Sequence, residues 1–218
     1  MSGKQLELEI VVDQFFGENC YLASLEGEDE CLIIDPGLEP AKIVQQLDQL
    51  SLNPVAILNT HGHIDHIAGN AVIKERWPDC PLIIGAGDAH KLADPDANLS
   101  GNYGLPIMSP PADTVVNEGD RYQAAGFSLE VLDTPGHSPG HIAFVWKAHS
   151  PWLVFGGDVL FQGSVGRTDF ADGNFEHLKH SIHTKFFVLP DDTIVLPGHG
   201  PQTTIGQEKK SNPFVGLE

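Results

Sequence analysis

The stretch Thr60-His61-Gly62-His63-Ile64-Asp65-His66 decides the fold, because it places four potential metal ligands within six residues. It follows the short apolar run 55–58, which predicts a buried strand. Side chains two residues apart in extended backbone point to the same side, so the first two histidines can hold one ion. The turn that carries the Asp-His pair then faces a second ion. Because histidine is the commonest metal ligand, the stretch predicts a metal site at a strand end.

Three later stretches share one design, in which an apolar strand ends in a glycine-bounded turn with a potential ligand at its tip. They are Thr134-Pro135-Gly136-His137, Phe155-Gly156-Gly157-Asp158 and Leu196-Pro197-Gly198-His199-Gly200. Glycine permits tight turns and close backbone approach, so each ligand can reach a shared centre. The four stretches together exceed the needs of one tetrahedral zinc ion and suit two ions bridged by a carboxylate. The candidate ligands are His61, His63, Asp65, His66, His137, Asp158 and His199.

This ligand set predicts hydrolytic chemistry. Two ions about 3.5 to 4 Å apart lower the pKa of a water molecule and polarise a bound carbonyl. We expect two divalent ions, with zinc as the first choice, while mixed histidine and carboxylate ligands also admit iron or manganese. Asp65 and Asp158 are the candidate catalytic carboxylates. The sequence contains no Walker loop and no dinucleotide-binding fingerprint that would indicate a rival chemistry.

With these motifs in this order, the sequence resembles the metallo-β-lactamase superfamily over essentially its whole length. The resemblance implies a four-layer αβ/βα sandwich of the α+β class, formed by a single domain over residues 1–218. It also implies two ligand sets bridged by Asp158, which are His61, His63 and His137 for the first ion and Asp65, His66 and His199 for the second. Asp35, in Ile34-Asp35-Pro36-Gly37, either forms a turn or, as the resemblance favours, orients a ligand histidine.

Within the superfamily, the chain is most similar to short glyoxalase II-like hydrolases. The similarity lies in the stretch Gly163-Ser164-Val165-Gly166-Arg167-Thr168-Asp169-Phe170 and in the tail Thr204-Ile205-Gly206-Gln207-Glu208 with Asn212-Pro213-Phe214. It implies hydrolysis of a thioester such as S-lactoylglutathione. Full-length glyoxalase II enzymes carry a further C-terminal helical domain that helps to hold glutathione, and we expect none in this chain.

Two alternatives share these motifs. The G-R-T-D-F stretch also occurs in persulfide dioxygenases, which hold one iron on residues matching His61, His137 and Asp158. The Pro-Gly-His-Gly context of His199 resembles the hydrolases instead, so the dioxygenase ranks second. A lactonase or another ester hydrolase of the same fold would share the metals without the resemblance in the tail.

The charge balance restricts the partners. Thirty acidic residues against twelve basic ones give a net charge of −18, which repels phosphate backbones and anionic lipid. We therefore expect a small-molecule thioester as partner, neither nucleic acid nor a membrane, and the oligomeric state stays open. The N-terminus lacks the basic and apolar stretches of a signal peptide, which predicts a cytoplasmic location. Because the overall charge opposes an anionic thioester, the candidate substrate-binding cations are Arg167, Lys209 and Lys210.

Hydrophobic periodicity predicts strands and helices interspersed in both halves of the chain, which indicates two packed sheets flanked by helices. The main predicted helices cover residues 40–50, 67–77 and about 175–186. A long surface loop is predicted over 94–114, where proline, glycine, serine and asparagine dominate. The predicted strands cover residues 6–12, 20–25, 31–34, 55–58, 82–84, 127–132, 142–146, 152–155 and 193–196.

Overall fold

The computed structural model of the chain describes residues 4–217, so residues 1–3 and 218 of the predicted domain lie outside the described part. Two six-stranded sheets pack face to face, and helices cover the outer face of each sheet. This arrangement is the α+β four-layer αβ/βα sandwich that the sequence predicts. No helix within residues 4–217 is long and apolar enough to cross a lipid bilayer.

The first sheet has its strands in chain order. They are β1 (Leu6–Val12), β2 (Asn19–Leu25), β3 (Glu30–Ile34), β4 (Asn53–Asn59), β5 (Leu82–Gly85) and β6 (Thr114–Val116). The first three strands are antiparallel, whereas β3 to β6 are parallel. Parallel neighbours need crossover connections. The helices of this half are α1 (Pro40–Leu50), α2 (Ile64–Ile67) and α3 (Asn70–Arg76).

The second sheet is mostly antiparallel. Its strands are β7 (Arg121–Ala124), β8 (Phe127–Asp133), β9 (Ile142–Trp146), β10 (Leu153–Gly157), β13 (Ile194–Pro197) and β14 (Thr203–Thr204). The spatial order is β14-β13-β10-β9-β8-β7. A separate small hairpin joins β11 (Leu160–Phe161) to β12 (Ser164–Val165). On the outer face lie α4 (Phe175–Ser181), which continues as a π-helical turn over Ile182–Phe186, and α5 (Ile205–Ser211).

Burial explains why the inner strands hold their positions. Strands β2, β9 and β10 are buried along their whole length, as expected for strands covered on both faces. Edge strand β1 instead contains only half-buried and exposed residues. Fully burying one large apolar side chain contributes about 1.5–3 kcal/mol. The core therefore fixes the strand ends, and the strand ends carry the site.

The predicted helix over 67–77 corresponds to α3, which begins three residues later than predicted, and the short helix α2 that precedes it was not predicted. Gly69 separates them. Its N–H donates to the Pro36 carbonyl oxygen at 2.7 Å, and an added Cβ would lie 2.8 Å from that same oxygen. The chain must therefore turn where it meets the segment that follows β3. The short strands β6 and β7 were not predicted, because neither has a long apolar run.

The predicted surface loop over 94–114 contains one 3₁₀ turn, Ser100–Tyr103. The buried Asn98 side chain organises the loop, since its amide donates to the carbonyl oxygens of Lys91 and Ile107 at 3.1 and 2.9 Å. The Asn98 carbonyl in turn accepts from the backbone of Ile64, directly beside the ligand stretch. The loop is thus fixed to the edge of the sandwich where the candidate ligands lie.

Candidate metal centre

The seven candidate ligands meet at one edge of the sandwich, where strands of both sheets end. The first sheet supplies the residues that follow β4: His61, His63, Asp65 and His66. The second sheet supplies the residues that follow β8, β10 and β13: His137, Asp158 and His199. Three groups of their ligand atoms each lie within 4.8 Å of one another. The structure therefore brings together all of the ligand positions that the sequence predicts.

The first ligand set has three imidazole nitrogens that face one another. Nδ1 of His63 lies 3.1 Å from Nε2 of His61 and 2.9 Å from Nε2 of His137, and those two Nε2 atoms are 3.2 Å apart. Burial, reinforced by neighbouring charged groups, lowers the pKa of His61 and His63 well below the ordinary value. Neutral imidazoles present lone pairs to a common point, which is the arrangement of a three-histidine ion site with one open position.

The second ligand set contains Asp65, His66 and His199. Nε2 of His199 lies 3.3 Å from Oδ2 of Asp65, and Nε2 of His66 lies 3.8 Å from the same oxygen. Asp158 reaches both sets, because its two carboxylate oxygens lie 3.5 Å from ring nitrogens of His66, His137 and His199. One carboxylate within reach of both sets is what a bridged pair of ions requires.

Unpartnered buried atoms support this assignment. Nε2 of His66 and Oδ1 of Asp158 are buried and have no hydrogen-bond partner. Buried polar atoms are nearly always hydrogen-bonded, so a pair without partners at this position needs an explanation. A divalent ion bound to both atoms supplies one. The donor chemistry and the orphaned atoms therefore fit a binuclear centre.

The second set is the more anionic of the two. Burial alone lowers the pKa of His66, but the carboxylates of Asp65, Asp35 and Asp158 outweigh it and raise that pKa to about 9. Burial is likewise outweighed at His199, whose pKa is raised to about 11 mainly by Asp158. The same histidines lower the pKa of Asp158 despite its burial. The carboxylates thus create a field that attracts a cation.

The sequence pattern of the Metallo-beta-lactamase superfamily matches residues 13–199, which contain all seven candidate ligands. The chain belongs to this superfamily. It is 44% identical over 192 residues to the "Probable metallo-hydrolase YqgX" of Bacillus subtilis, covering 88% of this chain and 90% of that protein. It is 40% identical over 213 residues to the "Hydroxyacylglutathione hydrolase GloC" of Haemophilus influenzae, covering 96% of this chain and 98% of that protein.

A solved structure agrees with the sequence relatives. The crystal structure of BLEG-1 B3 metallo-β-lactamase superimposes with a TM-score of 0.90 at 37% identity, covering 97% of this chain and 99% of that chain. As a member of the superfamily with converging histidine and aspartate clusters, the protein is a metal-dependent hydrolase.

Asp35 lies where a metallo-β-lactamase-fold protein can use it to orient a ligand. Its Oδ2 is 3.0 Å from Nδ1 of His66 and accepts the Thr60 hydroxyl at 2.7 Å, while its Oδ1 accepts the Thr60 backbone N–H at 2.7 Å. His137 is oriented similarly, because its Nδ1 donates to the Arg167 carbonyl oxygen at 2.8 Å. Both contacts leave the other ring nitrogen free to face the centre.

A cleft of about 310 Å³ opens above the ligands. Its walls are largely apolar, and Phe16 and Tyr103 meet edge to face at its rim with ring centres 5.2 Å apart. Arg167 lines the cleft, where its guanidinium group binds the Asp169 carboxylate at 2.7 and 2.8 Å and lies 4.4 Å from the ring centre of Phe170. Arg167 is therefore the predicted cation that the structure places beside the ligands.

Lys209 and Lys210, by contrast, do not line the cleft. They lie on α5, where the Lys209 ammonium binds Asp191 and the Leu189 carbonyl oxygen. The adjacent Glu208 faces inward and is fully buried. Of these three adjacent residues Glu208 alone is therefore buried, while Lys209 is half-buried and Lys210 is exposed.

The tail reaches the cleft indirectly, by holding the β11–β12 hairpin. The Glu208 carboxylate accepts the Gly163 N–H and the Asn212 side-chain amide, each at 2.9 Å, and also the Thr203 hydroxyl. The Asn212 amide donates to the Ser164 carbonyl oxygen at 2.9 Å as well. These bonds fix the hairpin whose side chains form one wall of the cleft.

Two further buried residues beside the centre were not singled out in the sequence. His141 contacts the backbone of Asp158, and Lys91 binds the Asp172 carboxylate at 2.7 Å and the Ser138 hydroxyl at 3.0 Å. The Gly-His pair at 140–141, four residues after a ligand histidine, is the one feature that could have indicated His141. A single lysine in a polar segment gives no such indication.

Proposed function

We propose that this protein hydrolyses thioesters, with S-acylglutathiones such as S-lactoylglutathione as lead substrates. The observation that carries the proposal is Asp158, whose carboxylate lies 3.5 Å from ring nitrogens of both ligand sets at the floor of an open cleft. The relative named as a hydroxyacylglutathione hydrolase, at 40% identity over 98% of its length, supports the choice of substrate.

When bound, two divalent ions supply Lewis acidity and lower the pKa of water towards neutrality. The residues of the chain position the attacking water and shield it from bulk solvent. Asp65 faces the cleft with its side chain 14% exposed, so its carboxylate can accept a hydrogen bond from an attacking water. The apolar wall around Phe161 and Val165 limits access of bulk water and strengthens the electrostatic interactions on the floor.

A side-chain nucleophile is not required, although one stretch has the spacing of a nucleophile elbow. Gly136-His137-Ser138-Pro139-Gly140 matches the G-x-S-x-G pattern of serine hydrolases. The Ser138 hydroxyl, however, is fully buried, donates to the Asp88 carboxylate and accepts from the Lys91 ammonium. It is therefore part of the scaffold that supports the ligand turn, and water remains the nucleophile.

Arg167 is the residue that we propose for a remote carboxylate of the substrate. Its side chain is 59% exposed and its guanidinium group is already bound to Asp169, so the pair can rearrange when an anion enters the cleft. An exposed ion pair of this kind contributes about 0.2–1 kcal/mol, which a new carboxylate contact can replace.

A persulfide dioxygenase is the second candidate, because the facing atoms of His61, His137 and Asp158 also suit one iron held by two histidines and a carboxylate. The second ligand set favours the hydrolase. Asp65, His66 and His199 also converge, and a single-iron enzyme would not need them.

The test combines metal analysis with turnover. Protein purified without added metal is analysed for zinc, iron and manganese, and then assayed with S-lactoylglutathione in water enriched in ¹⁸O. We expect two ions per chain and one labelled oxygen in the released carboxylate. About one iron per chain, with oxygen consumption on a glutathione persulfide, would establish the dioxygenase instead. Hydrolysis of a lactone or a β-lactam without turnover of any thioester would overturn the substrate class.

A further inference from the structure

His141 is a buried histidine beside the ligand sets, and both of its ring nitrogens are engaged elsewhere. The residue is 1% exposed. Its Nε2 lies 3.0 Å from the backbone nitrogen of Asp158, and its Nδ1 lies 2.9 Å from the hydroxyl of Thr134. The ring stacks on that of His61, with centres 4.8 Å apart and planes at 24°. The side chain therefore connects His61, a ligand of the first set, to Asp158, whose carboxylate reaches both sets.

The hydrogen bonds determine where the protons of this group lie. The Asp158 N–H can only donate, so Nε2 of His141 must be the unprotonated acceptor. Nδ1 then carries the ring proton and donates it to the Thr134 hydroxyl oxygen. The Thr134 hydroxyl has the His141 carbonyl oxygen at 3.3 Å as acceptor for its own proton. One tautomer of the ring therefore satisfies every donor and acceptor in the group.

We propose that His141 is a positioning residue that fixes the Asp158 carboxylate between the two ligand sets, that the Asp158 N–H selects the Nδ1–H tautomer of its ring, and that the Thr134 hydroxyl accepts the Nδ1 proton. The backbone just before Asp158 is irregular, since Gly157 has a φ of +48° and the register of β10 shifts there. A Cβ at Gly157 would lie 2.6 Å from Nε2 of His141. The ring thus packs directly against the peptide that sets the direction of the Asp158 side chain.

Loss of this acceptor would act on the centre through Asp158. A buried N–H without an acceptor is unfavourable, and rotation of the peptide would relieve it. Such a rotation would move the Asp158 carboxylate away from the ring nitrogens of His66 and His137, which lie 3.5 Å from its oxygens in the present structure. This inference rests on the binuclear centre of the proposed function, and it assigns the maintenance of that centre to a residue outside both ligand sets.

A matched pair of amide variants isolates the contact. His141→Gln places a carbonyl oxygen near the position of Nε2, so it can still accept the Asp158 N–H. His141→Asn is shorter and places its amide near Nδ1, within reach of Thr134 alone. Zinc affinity of the metal-free proteins is measured by competition with a chromophoric chelator. We expect about a 10–100-fold loss of affinity in the Asn variant and a value within threefold of wild type in the Gln variant. Equal affinities in wild type, Gln and Asn proteins would overturn the proposal.

A second pair of measurements is independent of metal and of turnover. In ¹⁵N-histidine spectra of the metal-free wild-type protein we expect His141 as the Nδ1–H tautomer, and Thr134→Val should retain this tautomer, because the Asp158 N–H still requires an acceptor at Nε2. Amide exchange of Asp158 should be faster in the Asn variant than in the Gln variant. An Nε2–H tautomer in wild type refutes the assignment even if His141→Asn does not fold. Absence of zinc binding in wild type would contradict the proposed function, while these spectra would still decide the His141 contact.

Discussion

Replacement of Glu208 tests whether the C-terminal helix controls the shape of the cleft. Glu208→Ala removes the acceptor of the Gly163 N–H and of the Asn212 amide, two donors that the structure pairs at 2.9 Å. Glu208→Gln keeps one carbonyl oxygen, which can occupy the same position, while its amide can donate to the Thr203 hydroxyl in place of the present bond. Both variants lack the Glu208 carboxylate, so they differ in whether a buried acceptor remains and not in charge.

The magnitude follows from the bonds that are lost. A hydrogen bond to a charged group contributes about 1.5–3 kcal/mol, so two of them predict a loss of about 3–6 kcal/mol in the free energy of unfolding for the Ala variant. For a chain of this size the loss corresponds to a Tm about 6–24 °C lower. The Gln variant should lose less than about 1.5 kcal/mol, because only the assistance of the charge is removed.

Urea denaturation followed by circular dichroism measures the free energy of unfolding of each variant. Steady-state kinetics on S-lactoylglutathione measures kcat/KM, which reports whether the cleft keeps its shape. We expect kcat/KM to fall more in the Ala variant than in the Gln variant, because the hairpin carries Phe161 and Val165 into the cleft. An Ala variant within about 1 kcal/mol of wild type, or an equal loss in both variants, would refute the reasoning about the buried acceptor.

Three further substitutions address the centre and the substrate. Asp158→Ala should lose most of the bound metal together with activity, and elemental analysis showing near-normal metal content would remove Asp158 from the centre. Lys91→Met removes the buried ammonium that anchors Asp172, so we expect a loss of about 1–3 kcal/mol in the free energy of unfolding and a raised KM; unchanged urea curves and kinetics would contradict this. Arg167→Ala should raise KM for S-lactoylglutathione severalfold and spare an uncharged thioester, with Lys209→Ala as a control that leaves both substrates unchanged. Equal losses on both substrates would place the carboxylate contact elsewhere.

The convergence of the seven candidate ligands was predictable from sequence because the information in their motifs is local. Four ligands lie within six residues, and each of the other three follows an apolar strand and a glycine turn. These patterns constrain the backbone at short range, so they identify the residues without knowledge of the tertiary contacts. The order of strands and helices indicated two packed sheets flanked by helices in the same way, and the resemblance to the metallo-β-lactamase superfamily implied the four-layer sandwich, which is confirmed.

The supporting residues were not predictable, because their partners are distant in the chain. Lys91 binds a carboxylate 81 positions away, and Glu208 binds a backbone N–H 45 positions away. On α5 the choice between Glu208 and Lys209 depends on which face of the helix is buried, and composition favoured the cation because an anionic substrate was expected. The structure shows that Glu208 and Asn212, four positions apart, share the inward face.

The division of the ligands between the two sheets has a consequence for folding. The first ion would take two histidines from the first sheet and one from the second, and the second ion would take two residues from the first sheet and His199 from the second. Neither half of the chain alone offers a complete set for either ion. High-affinity metal binding therefore has to follow the docking of the two sheets. We expect added zinc to slow unfolding while leaving the rate of the first folding steps unchanged. The ions would then stabilise the contact between the two sheets only after that contact has formed.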